Sequence, residues 1–204
     1  MRVVAANGTI QTFAGNGTAG NSGDGGPAID AALNGPSGVT VLPGGLVVIA
    51  DTHNNRLRVV STDGRIQNYA GTGTRGDGNV WGDALCASLD GPTSLAAGID
   101  GTVFLLDSGS RQIFRVLANG QITSLGGEGD GAECEFCSVA DFPLSAESRI
   151  ATDAAGRLYV SHPQQGRVYV IDSAGVVRPL NRGVICDMEI PKSDRVKKFR
   201  KECL

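Results

Sequence analysis

Asp51 and Arg56 flank the tetrapeptide THNN at 52–55, which sets a carboxylate, a guanidinium, an imidazole and two carboxamides within one short turn. Two readings follow from these residue types. Turn residues held on a rigid scaffold are well placed for recognition, which makes His53, Asn54 and Asn55 candidates for a binding rim. The same composition also builds a hairpin end: Asp51 and Arg56 can bond to backbone groups, and asparagine tolerates left-handed angles. A second cluster is the C-x-x-C of Cys134 and Cys137 in AECEFCSVADF, with Cys86 in an earlier segment. Tetrahedral zinc needs four ligands, and no second C-x-x-C or histidine pair accompanies this one. A dithiol redox site would need a helix after the first cysteine in a β-α-β unit, so connector thiols packed against each other are the expectation.

Other chemistry is thinly supplied. GNSGDGGPA at 20–28 and GEGDG at 127–131 are glycine-rich, yet neither has the Lys-Ser/Thr of a phosphate loop or the spaced carboxylates of an EF-hand, so both read as connectors. The histidines are His53 and His162, and no G-x-S-x-G elbow is present. The expectation is a protein without catalytic residues, metal or cofactor. The segment SDRVKKFRKECL could begin a helix at Ser193 and place Val196, Phe199 and Cys203 on one face among basic residues. The candidate partner-binding residues are therefore His53, Asn54, Asn55, Arg111, Trp81 and Phe199.

The elements that must position these residues show themselves as a repeat. Gly15, Pro36, Asp51, Gly64 and Gly71 recur 56 residues later as Gly71, Pro92, Asp107, Gly120 and Gly127. A third copy slips by one, with Gly101 answered by Gly156 and Gly120 by Gly175. Arg2, Val3, Val4, Gly8, Ile10, Gln11, Ala14 and Gly15 precede Arg58, Val59, Val60, Gly64, Ile66, Gln67, Ala70 and Gly71 by the same 56, so residues 1–14 read as the back half of a unit. Within a unit, GVTVL, GLVVIAD, RLRVVS and RIQNYAG are β-branched runs separated by turn-forming clusters, which gives four strands. Asn7-Gly8 and Asp63-Gly64 suggest two-residue hairpin loops. Val47, Ile49, Val59, Val103, Leu105, Val160, Val168 and Val170 are the expected inter-blade core.

The 204 residues include 30 glycines, about twice ordinary usage, and carry a formal charge of −3. Residues 187–204 hold six Lys or Arg against four acids, leaving a mildly acidic body, which argues against nucleic acid as the main partner. No run approaches the roughly 20 apolar residues of a membrane span, so no membrane partner is expected. The five cysteines and the lack of a leader pattern point to an intracellular setting.

The stretch from Ala14 to Gly71, with its Gly-Pro-x-Gly-Val start, its ADTHNNRLR hairpin and the DGRI that follows, resembles the NHL repeat. The resemblance is carried on in LDSGSRQIFRV and, with its acidic residue absent, in VSHPQQGRVYVI. It implies an all-β fold, a β-propeller of four-stranded antiparallel blades, here an incomplete ring. NHL propellers usually close with six blades, which at this period would need about 336 residues. The expected organisation is a half blade at 1–14, three blades with their connectors at 15–71, 72–127 and 128–183, and a basic tail at 184–204. The family also includes an amidating lyase whose metal is held by three histidines, a set that two histidines cannot supply. The function expected is a non-catalytic protein-interaction module, with a protein partner or further blades completing it and no small-molecule substrate. A propeller hydrolase or lyase with a channel-mouth site, and recognition of single-stranded RNA, are the alternatives.

Overall fold

The computed structural model describes residues 1–76, 80–129 and 136–180. The first sheet is a ribbon of β1 (Arg2–Val4) and β2 (Ile10–Thr12). The next is an antiparallel meander of β3 (Gly38–Val41), β4 (Val47–Asp51), β5 (Arg56–Val60) and β6 (Ile66–Ala70). A short strand, β7 (Trp81–Asp83), precedes the second meander of β8 (Pro92–Ala97), β9 (Val103–Asp107), β10 (Gln112–Val116) and β11 (Gln121–Gly126). The third repeats the pattern with β12 (Cys137–Ser138), then β13 (Arg149–Thr152), β14 (Leu158–His162), β15 (Arg167–Ile171) and β16 (Val176–Pro179). Among the described residues there is no α-helix and no closed ring; the chain is an all-β propeller segment.

A fifth strand is the feature that the repeat pattern missed. The connector entering each meander returns along its outermost strand, pairing Asp83 with Gln121 and Ser138 with Val176. In the first meander it shrinks to a single bridge between Pro27 and Arg65. These contacts cover the outer edge that a four-stranded blade would leave open.

The turns also differ from expectation. At 61–65 Ser61 N donates to Arg65 O and Gly64 N to Ser61 O, which makes a three-residue loop rather than a two-residue one. Gly64 has φ 80°, whereas Asp63 is not among the residues of positive φ. A two-residue type I′ turn needs positive φ at both central positions, and a carboxylate that caps the Arg65 N–H at 3.2 Å is better served by the longer loop. Asn7-Gly8 follows the same scheme, with Ala5 N bonded to Thr9 O and Gly8 N to Ala5 O.

Blades pack through apolar faces. Val48, Ala50 and Leu57 meet Leu105, Phe114 and Val116, while Leu106 and Ile113 meet Val160, Tyr169 and Ile171. Ala14, Ile49, Val60 and Ile66 form a third cluster beneath the first connector. The innermost strands approach so closely that a Cβ on Gly38 would lie 2.5 Å from Thr93 O, and Ser37 Oγ donates to that same carbonyl at 3.1 Å. Two expected core residues are misplaced: Val168 is 40% exposed and Val170 is only half-buried. They alternate with Tyr169 and Ile171, so they share the face turned away from the second blade while Tyr169 and Ile171 are buried.

Candidate functional site

The β4–β5, β9–β10 and β14–β15 turns stand at one end of the blades, beside the connectors. The first and third are 3-10 turns and the second is a plain turn, yet each is closed by a left-handed residue: Asn55 at φ 50°, Arg111 at φ 57° and Gly166 at φ 61°. The residue before each turn reaches back to a connector. Asp51 Oδ1 accepts from Asn34 N at 2.7 Å, and both oxygens of Asp107 accept from Asp90 N at 3.0 Å. In the third blade the acid is replaced by His162, whose Nε2 bonds with Pro143 O at 2.8 Å. A carbonyl only accepts, so Nε2 carries the proton and Nδ1 is left as an acceptor. That Nδ1 is buried without a hydrogen-bond partner, and the residue is only 4% exposed.

In the first blade these turn residues act mainly as fasteners. Asn54 Nδ2 donates to Asp51 Oδ2 and to Gly20 O, both at 2.7 Å. Asn55 Oδ1 accepts from Gly91 N, at the foot of the next blade, at 2.9 Å. Only Asn55 takes the left-handed angle expected of both asparagines; Asn54 lies within the 3-10 turn, where its amide can reach two acceptors. Arg56 donates to Asn21 O, and the fully buried Arg58 pairs with Asp24 at 2.8 Å and faces Asp51 at 3.6 Å. Thus the GNSGDGG stretch serves as a lid over two arginines. His53 is exposed and lies against Gly35, where a Cβ would come within 2.6 Å of its Nδ1.

In the second blade the equivalents of Arg56 and Arg58 are Gln112 and Phe114, so among the described residues no cation stands beside the buried Asp107. Burial pushes its carboxyl up to about 6; bonds from the Ser110 hydroxyl and Asp90 N–H oppose the rise, and the Asp90 carboxylate adds to it.

Between the second and third blades the connector and turns leave a cleft of about 440 Å³. Arg111, Glu128, Leu144, His162, Gln164 and Gln165 are among its walls. Arg111 is exposed and makes no ion pair with a described residue. Glu128 accepts from Gln112 Nε2, and Gln165 Oε1 accepts from the Tyr169 hydroxyl at 2.5 Å, which leaves the Gln165 NH2 as a donor. Arg111 is among the partner-binding candidates of the sequence, whereas His162 is noted there only as one of two histidines and Glu128 not at all; the departure of His162 from the Asp51 and Asp107 pattern is the available signal.

The remaining candidates are scattered. Trp81 lies on β7, 71% exposed, and Phe136, its equivalent one repeat later, is 74% exposed. Phe199 and the rest of the tail, like Cys134, fall outside the described residues. Cys137 is disulfide-bonded, in place of the thiol expected there, and Cys86 is a free, exposed cysteine. Among the described residues no three His, Cys, Asp or Glu side chains gather as a metal set, and no helix is long and apolar enough to cross a membrane.

Comparison with known proteins agrees with this geometry. Residues 33–60 match the model of the NHL repeat family. Teneurin-3 of Danio rerio is 33% identical over 107 residues, covering 45% of this chain and 4% of that protein. Virginiamycin B lyase from Staphylococcus aureus superposes with a TM-score of 0.53 at 16% identity, over 88% of this chain and 47% of its own. A structural genomics protein of unknown function from Bacteroides thetaiotaomicron gives 0.55 at 12% identity, over 85% of this chain and 40% of its own. This chain thus spans under half the length of each, and at these identities the two structures establish the fold alone.

Proposed function

We propose that this NHL-type propeller segment is an interaction module, completed through its open side by strands from a further propeller unit or a partner chain. The observation that carries the reading is the face beside the ribbon. β1 pairs with β2 on one edge only among the described strands, and Val3, Val4, Ile10, Val39 and Val41 are exposed there. Exposed apolar residues beside an unpaired strand edge are what a strand-adding partner covers. The repeat supplies the register: Val48 pairs with Val59 in the first blade, so an incoming strand of the β4 kind would set its Val48 equivalent opposite Val3.

A synthetic peptide of residues 36–51, the β3–β4 pair, tests this. Added in trans, it is expected to slow amide exchange at Arg2, Val3 and Val4 by tenfold or more. Absence of any nuclear magnetic resonance shift in β1 at millimolar peptide would reject the reading. The lyase that shares the fold contributes an alternative role, catalysis at a rim site, to which the chain's single buried imidazole in a cleft, His162, is the relevant residue. Turnover lost on His162→Ala with the fold retained would favour it.

A further inference from the structure

Two residues depart from the internal repeat at the turn end, and both face one cleft. The left-handed position holds Asn55 in the first blade and Gly166 in the third, residues that accept positive φ readily, but Arg111 in the second. A long side chain at φ 57° carries a conformational penalty, and such outliers are retained where the surrounding structure uses them. The acid position holds Asp51 and Asp107 in two blades, but His162 in the third. That substitution exchanges a carboxylate that bonds a connector N–H for an imidazole that bonds Pro143 O and leaves Nδ1 unpartnered.

We infer that the cleft between the second and third blades is a recognition pocket for an acidic side chain presented by a peptide segment of a protein partner. The inference rests on the interaction reading above and gives it a second, polar contact. Arg111 supplies a forked cation for the carboxylate, and the amides of Gln164 and Gln165 add neutral donors beside it. Glu128 would repel a bare anion, but its Oε2, which Gln112 does not engage, accepts an N–H group that flanks an acidic residue in a peptide. The combination selects a peptide carboxylate over a free inorganic anion. The volume of about 440 Å³ lies in the range of ordinary ligand pockets and holds a few residues.

The test is a nuclear magnetic resonance titration of the whole chain with acetyl-aspartyl-amide, and with acetyl-asparaginyl-amide as its neutral match. The aspartyl compound is expected to shift the Arg111 and His162 side-chain signals saturably, with at least fivefold tighter binding than the asparaginyl one. Arg111→Gly removes the guanidinium and also the strain, so it is expected to fold at least as well as the parent and to lose the fivefold preference. Equal binding of the two compounds, or a preference that survives in Arg111→Gly, would overturn the inference, and so would binding of sodium phosphate as tight as the aspartyl compound. If the aspartyl compound fails while the 36–51 peptide still engages β1, this inference falls alone and the interaction reading stands.

Discussion

The node that seats the first blade on its connector and the node that seats the third on its connector occupy the same place in the repeat but use opposite chemistry. In the first, Asp24, Asp51, Arg56 and Arg58 form a charged set, with Arg58 and Asp51 fully buried. In the third, Tyr169 stands where Arg58 does, and it packs edge-on against Phe142 at 4.7 Å, with His162 6.0 Å from the same ring. The backbone scheme is nevertheless shared, since each turn still closes on a left-handed residue. What differs is tolerance. A buried charge set depends on every member, because removing one leaves another uncompensated, whereas an aromatic set loses only the contacts deleted. The first node is built from mutual dependence, and the third has room for a cleft.

Asp51→Ala should break the comparison most severely. It removes the acceptor of Asn34 N and of the Asn54 amide and leaves Arg58 facing an empty position, so a loss of roughly 3–5 kcal/mol is expected. His162→Ala deletes one bond to Pro143 and part of a ring contact, so roughly 1–3 kcal/mol is expected. Urea midpoints of the two variants check the order, and equal losses would show the two nodes to be equivalent.

The second blade sharpens the contrast, because among the described residues no cation stands beside its buried acid. Asp107 titrates near 6 in the fold against an ordinary 3.8, so the folded state holds this proton more tightly than the unfolded chain does. Its contribution is therefore fully present below about 3.8 and is lost as pH rises through about 6, a change of roughly 3 kcal/mol. Asp107→Asn does not titrate, so the stability of the parent relative to this variant should increase between pH 7.5 and 4. Denaturant unfolding at the two pH values measures it, and a constant difference would contradict the burial argument.

The smallest expected effects are at the left-handed position. Arg111→Gly should raise stability by about 0.5–1 kcal/mol by relieving positive φ. Asn55→Gly relieves less and loses the acceptor of Gly91 N, so it should lower stability by about 1 kcal/mol. Opposite signs in thermal unfolding would confirm that one residue is a fastener and the other is held for its side chain.

Much of this architecture can be read without coordinates. The 56-residue displacement, the β-branched runs and the glycines that end each loop follow from local chain preferences, which is why the strands lie near the runs GVTVL, GLVVIAD and RLRVVS. The fifth strand was not legible: Trp81–Asp83 is three residues long, has no alternation and gains its place only by pairing with β11. Val168 misled for a related reason, since a β-branched residue in a strand can face either blade and only register decides which. The loop at 61–65 shows a local limit, because Asp-Gly serves turns of two lengths and the carboxylate's bond to Arg65 N selects between them.

By itself the sequence determined the repeat, the strand-and-turn order and the all-β class, because periodicity and turn chemistry act over a few residues. Only tertiary structure decided which polar side chains became fasteners and which line the cleft. Asn55 reaches Gly91, Asp51 reaches Asn34, and His162 reaches Pro143, across 36, 17 and 19 residues. Partners at such separations are fixed by how blades and connectors pack, since a hydrogen bond depends on distance and direction in space and not on separation along the chain.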